Sequence, residues 1–186
     1  MIISNGNDSS IEKVDLKQNQ SSVVSLKTQY EGSFGATIND SFYLVCGGRD
    51  EEEMHVKKCQ FWEESDSTQQ IDSTKFEVNL EKARAFGSAL SHKGNLFIFG
   101  GEPESDVMKT IEKIDMKTKT SYIIGTIEID FSYGCMVSYQ YQDQDQILLI
   151  GGFQQDQRTK KTFKYLFEDF YENPSCSLQS GKYDCI

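Results

Sequence analysis

An all-β fold of repeated four-stranded antiparallel blades, about three and a half of them in a partial or open propeller, is predicted by three observations. Apolar runs end three times in a double glycine: Phe42-Tyr43-Leu44-Val45-Cys46-Gly47-Gly48, Leu96-Phe97-Ile98-Phe99-Gly100-Gly101 and Ile147-Leu148-Leu149-Ile150-Gly151-Gly152. The pairs recur about every fifty residues, a period expected of four-stranded propeller blades. Two distant segments, Ile11-Glu12-Lys13-Val14-Asp15-Leu16-Lys17 and Ile111-Glu112-Lys113-Ile114-Asp115-Met116-Lys117, match position by position across two repeat lengths.

Residues 1–26 read as a half-blade. Its third strand is Ile11 to Lys17 and its fourth contains Val23-Val24, while Met1-Ile2-Ile3 before Ser4-Asn5-Gly6 is a degraded stub of its second. Residues 33–79 form the first full blade, 84–125 the second and 131–180 a weaker third, all within one repeat region, 1–186. A small-aromatic-glycine triplet opens each: Ser33-Phe34-Gly35, Ala85-Phe86-Gly87 and Ser132-Tyr133-Gly134. A short apolar strand follows, then a turn of small polar residues suited to a tight hairpin. The run into the glycines is the second strand. It is apolar at nearly every position, as a strand buried on both faces must be. A polar loop leads to the third strand, where Phe61 and Tyr165 are expected at the place of Ile114. The apolar spacing of Met54 to Trp62 also suits a helix, and the repeat context selects strand. Aromatics Phe34, Phe86 and Tyr133 are expected to wedge between blades.

With these features in register, the chain resembles the kelch-repeat β-propeller family as a divergent, incomplete array. The strand ending in Gly-Gly carries the resemblance. The arginine that commonly precedes the first kelch strand is present only as Arg84, and the third-strand tyrosine only as Tyr165. Tyr122 and Phe76 stand for the fourth-strand tryptophan. The resemblance implies a non-catalytic protein–protein interaction module: a scaffold, adaptor or substrate-recognition subunit. Its rivals are a structural subunit of a cytoskeletal or organellar assembly and a kelch-like sugar-processing enzyme or oxidase. Ring completion by another chain or by further sequence follows from the blade count, since propellers close with four to eight blades.

Composition narrows the partners. The 186 residues carry a formal net charge of -10, which repels phosphate backbones and argues against nucleic acid. No apolar run is long enough to span a bilayer. The five cysteines lack CxxC spacing, and Cys46, Cys59 and Cys135 fall in apolar strand patterns where free cysteine packs as a small hydrophobe. A reducing, cytoplasmic compartment is the expectation.

The six glycines Gly47, Gly48, Gly100, Gly101, Gly151 and Gly152 are assigned to the scaffold, because they turn the chain where a Cβ would clash. No catalytic group, metal ligand set or cofactor motif is predicted. His55 and His92, the only histidines, have no ligand partner at short spacing, and His92 is expected solvated in a hairpin turn. Loops after the second strands share one face with the blade connections. They carry Arg49, Asp50, Glu51, Glu52, Glu53, Glu102, Glu104, Asp106, Asp156 and Arg158, joined by Glu31, Glu81, Lys82, Arg84, Glu128 and Asp130. This acidic face is the expected docking surface for a basic protein segment.

Overall fold

The computed structural model describes residues 2–5, 10–15, 20–25, 30–39, 42–64, 71–103, 108–154, 157–159, 161–167, 176–179 and 182–185. Their regular structure is β throughout, and every strand pairing is antiparallel. Strands β1 (Ile2–Asn5), β2 (Ser10–Asp15) and β3 (Gln20–Ser25) make a three-stranded N-terminal sheet. Sheet 1 contains β4 (Phe34–Asn39), β5 (Phe42–Cys46), β6 (Lys58–Glu64) and β7 (Ile71–Asn79). Sheet 2 contains β8 (Ser88–His92), β9 (Asn95–Phe99), β10 (Thr110–Asp115) and β11 (Thr120–Thr126).

In sheet 3, β12 (Cys135–Tyr141) pairs with β13 (Gln144–Ile150), and β13 with β16 (Thr162–Leu166). A small hairpin of β14 (Phe153–Gln154) and β15 (Gln157–Arg158) fills the intervening loop. The expected fourth strand takes another partner: β17 (Cys176–Gln179) pairs with β18 (Lys182–Cys185). The first strands stand side by side, β4 against β8 and β8 against β12.

The twin segments carry the same pairing. Lys13, Val14 and Asp15 face Ser22, Ser21 and Gln20, as Lys113, Ile114 and Asp115 face Tyr122, Ser121 and Thr120. Ser4 opposes Ile11 as Phe99 opposes Ile111, so Asn5-Gly6 in the sequence follows where Gly100-Gly101 follows. The described residues of the N-terminal unit therefore form three strands.

Packing explains the apolar second strands. In β9, Leu96, Phe97, Ile98 and Phe99 are all fully buried. Alternate side chains leave opposite faces. Leu96 and Ile98 join Leu44, Cys46, Cys59 and Phe61 of sheet 1, while Phe97 and Phe99 join Ile147, Leu149 and Tyr165 of sheet 3. At about 1.5–3 kcal/mol for each large apolar side chain removed from water, this is the main cohesive term between sheets.

The glycine pairs lock these contacts. Their φ angles are 59° and 103°, 61° and 100°, and 68° and 95°. Gly48 N–H donates to Arg84 O at 2.9 Å and Gly101 N–H to Phe131 O at 2.7 Å, in each case to the segment entering the next sheet. A Cβ at Gly100 would strike the Phe131 carbonyl.

Four further expectations change. Cys46 and Cys59 are not free: they are cross-strand neighbours and form a disulfide. The period set both at strand ends but did not show that one register pairs them. The bond removes the argument from free thiols to a reducing compartment; Cys135 is free and exposed. Second, Trp62, not Phe61, stands at the place of Ile114 and Tyr165. Each is opposite the residue four before its glycine pair: Tyr43, Leu96 and Ile147. Third, His92 is not solvated. It stacks on Phe167 with centroids 3.7 Å apart and lies 3.3 Å from Asp145, bridging sheets 2 and 3. Burial lowers its pKa, against the opposing pull of Asp145.

Fourth, Arg84 belongs to the interior, fully buried with Glu112. Its Nη2 donates to Glu112 Oε2 and its Nη1 to Gly100 O at 2.9 Å. Glu112 also accepts from the Glu81 backbone N–H and from Ser121 Oγ. The pair ties the entrance of sheet 2 to its second and third strands, with both charges hydrogen-bonded as burial requires.

Candidate interaction face

The residue after each glycine pair bridges back to the lead-in of the same sheet: Arg49 to Glu31, Glu102 to Ala85 and Phe153 to Ser132. These bridges align Glu31-Gly32-Ser33 with Ala85-Phe86-Gly87 and Ser132-Tyr133-Gly134. The first triplet thus lies two residues earlier than expected. Phe34 instead heads β4 and is buried, as a wedge should be. The middle positions, Gly32, Phe86 and Tyr133, share left-handed backbone with φ of 70°, 55° and 54°. Glycine adopts that region freely, whereas a bulky aromatic does so at a cost of order 1–3 kcal/mol.

Phe86 and Tyr133 form part of a ladder on this face. Arg49 lies over the Phe86 ring, 5.0 Å from its centroid. Phe86 stacks on Tyr133 at 4.1 Å, Tyr133 meets Phe153 at 5.3 Å, and Arg158 lies over Phe153 at 5.9 Å. Gly32 makes room at the near end: a Cβ there would come within 2.5 Å of the Phe86 ring. Half-buried Phe86 packs between Gly32 and Arg49 of sheet 1 and Tyr133 of sheet 3, as expected of an aromatic between blades, whereas Tyr133 is 49% exposed and lies on the surface.

Glu102 braces the ladder. It lies 3.4 Å from Arg49 Nη2, accepts from Ser132 Oγ at 3.2 Å, and lies 3.4 Å from the Tyr133 hydroxyl. Arg49 also donates from Nε to His55 Nε2 at 3.3 Å. Burial, and then the negative charge of Glu102, raise the Tyr133 pKa, so the phenol stays neutral and available as a donor. Beside the ladder, Asp50 Oδ1 accepts from the backbone N–H groups of Glu52 and Met54 at 3.1 and 2.9 Å. That turn holds Glu51, Glu52 and Glu53 in solvent with Met54 at its end.

Of the predicted face, Arg49, Glu102 and Arg158 thus come together through aromatic rings, with Asp50 to Glu53 beside them. Glu31 bridges to Arg49, Glu81, Lys82 and Glu128 are exposed, and Asp130 lies 3.7 Å from Lys109. Arg84 leaves the face for the interior. Glu104, Asp106 and Asp156 lie outside the described residues. Among the described residues no cluster of three or more His, Cys, Asp or Glu is placed to hold a metal ion. Apart from this face, strands β4, β8 and β12 line a cavity of about 370 Å³ walled by Thr37, Ala89, Ser91, Val137 and Ser138 among others.

No protein-family model and no curated protein matches the chain. Among solved structures it is similar to the structure of YjhT, with a TM-score of 0.63 at 11% identity. The likeness covers 95% of this chain and 51% of that one, so the chain spans about half that structure's length. At this identity the likeness shows the fold alone. No helix among the described residues is long and apolar enough to cross a membrane.

Proposed function

We propose that the chain is a kelch-type propeller segment serving as a non-catalytic protein-interaction module, and that the ladder face docks a basic segment of a partner. The observation that carries this reading is the pair of aromatics held in left-handed backbone with Tyr133 half exposed. Strained backbone at bulky residues on a surface is the pattern of a binding site rather than of a core. An exposed tyrosine braced by the Glu102 carboxylate, on a face that also carries the exposed Glu51, Glu52 and Glu53 on the turn after Arg49, accepts a lysine or arginine through its ring and through charge.

The test is fluorescence anisotropy with an arginine-rich peptide and a glutamate-rich control of equal length. The arginine-rich peptide binds, and added salt weakens it. Tyr133→Ala, which leaves the net charge unchanged, lowers its affinity by about five- to thirtyfold, the loss of a cation–π contact worth roughly 1–2 kcal/mol. Equal binding by Tyr133→Ala and the unaltered protein leaves only general attraction to an acidic protein and ends the proposal.

A further inference from the structure

Neighbouring sheets meet in one repeated way. The earlier sheet supplies Leu44, Cys46 and Cys59, or at the equivalent positions Phe97, Phe99 and Ile111. The later sheet supplies Leu96, Ile98 and Ile114, or equivalently Ile147, Leu149 and Tyr165. Sheet 3 repeats the earlier-sheet positions as Leu148, Ile150 and Thr162, with Val137 and Cys135 directly opposite Leu148 and Ile150 on the same face. Among the described residues no further sheet covers them. Ile150 and Val137 are each 42% exposed, Tyr141 is 53% exposed, and Cys135 is exposed. Gly151 is uncovered too: a Cβ there would meet only Thr159 O at 3.7 Å, where Gly47 and Gly100 face the next sheet's lead-in.

The later-sheet positions recur once more, in the N-terminal sheet. Ile3 pairs with Glu12 as Ile98 pairs with Glu112, and Val14 with Ser21 as Ile114 with Ser121. One chain therefore carries both halves of the contact, with the N-terminal sheet beside sheet 1 through β1 and β4 and sheet 3 beside sheet 2. We propose that a second copy of the chain covers sheet 3: the exposed face of each copy receives the N-terminal sheet of the other, in a closed head-to-tail pair. Head-to-tail contacts close into a ring only when the rotation between copies brings the last free face back to the first.

Sedimentation equilibrium of the full chain across the micromolar range tests this. The expected mass is twice 21.2 kDa. Ile150→Glu or Val137→Lys, each at a solvent-facing position, returns the mass to 21.2 kDa with an unchanged far-ultraviolet spectrum. On the unaltered chain, Cys135 reacts with a bulky maleimide at least tenfold faster at dilutions that separate the copies. A monomer throughout, a dimer indifferent to both substitutions, or a ladder of higher species overturns the closed pair. Peptide binding at Tyr133 is measured separately on the Ile150→Glu monomer, so either proposal can fail alone.

Discussion

Glu112 holds the entrance of its sheet from inside, and its removal has a calculable sign. Glu112→Ala leaves the Arg84 guanidinium buried with carbonyl partners alone, Gly100 O and the longer contact to Lys82 O, and strands the Glu81 backbone N–H and Ser121 Oγ. Breaking one side of a buried ion pair costs about 3–5 kcal/mol, so the urea midpoint falls sharply. Replacing both partners together, as Arg84→Met with Glu112→Leu, recovers most of the loss because no uncompensated charge remains. A double variant as unstable as Glu112→Ala would show that the arginine stem, not the charge pair, carries the stability. Such a pair is hard to read in a sequence. Arg84 precedes a strand and resembles any loop base, and its partner lies 28 residues away, two strands further along the chain. Phe86 and Tyr133 were legible as a recurring aromatic position but not as a surface ladder, because left-handed backbone leaves no mark when the residue is not glycine.

At the scale of strands and turns, the repeat was readable because it follows from local chemistry. Apolar second strands and glycine pairs recur wherever sheets pack face to face, and the resulting pairings follow them. What the period left loose was register to within a residue or two. Trp62 took the place expected for Phe61, and Cys46 met Cys59, because only pairing decides which neighbours share a face. The glycines themselves separate two effects. Gly94 and Gly100 both have left-handed φ, 74° and 61°, yet a Cβ at Gly94 meets nothing within 4 Å while one at Gly100 strikes the Phe131 backbone. Gly94→Ala therefore costs only the left-handed strain, about 1 kcal/mol. Gly100→Ala adds a backbone clash between sheets 2 and 3 and costs severalfold more in thermal unfolding. Equal losses would mean that the sheet junction yields freely, contrary to its hydrogen bond from Gly101 N–H to Phe131 O.

Over the whole molecule, protection should follow how many neighbours each strand has. The composition pointed to an acidic chain and the period to a row of blades, but neither ranks the sheets. The packing does. Strand β9 is hydrogen-bonded on both edges, to β8 and β10, and is covered on both faces by sheets 1 and 3. Exposing its amides means separating three sheets at once. Among the described residues strand β12 is paired only with β13, and it presents Val137 and Tyr141 to solvent. A second copy would cover its face but not its free edge, so this contrast does not depend on pairing between chains. Local opening draws on the contacts broken, and amide exchange reports that free energy strand by strand. Hydrogen exchange read by NMR should therefore find the β9 amides of Phe97 and Phe99 slowest, opening only with global unfolding. Hydrogen-bonded β12 amides should exchange at least tenfold faster. Equal protection in the two strands would mean that the row of sheets opens only as one unit, and the idea that coverage grades its stability would fall.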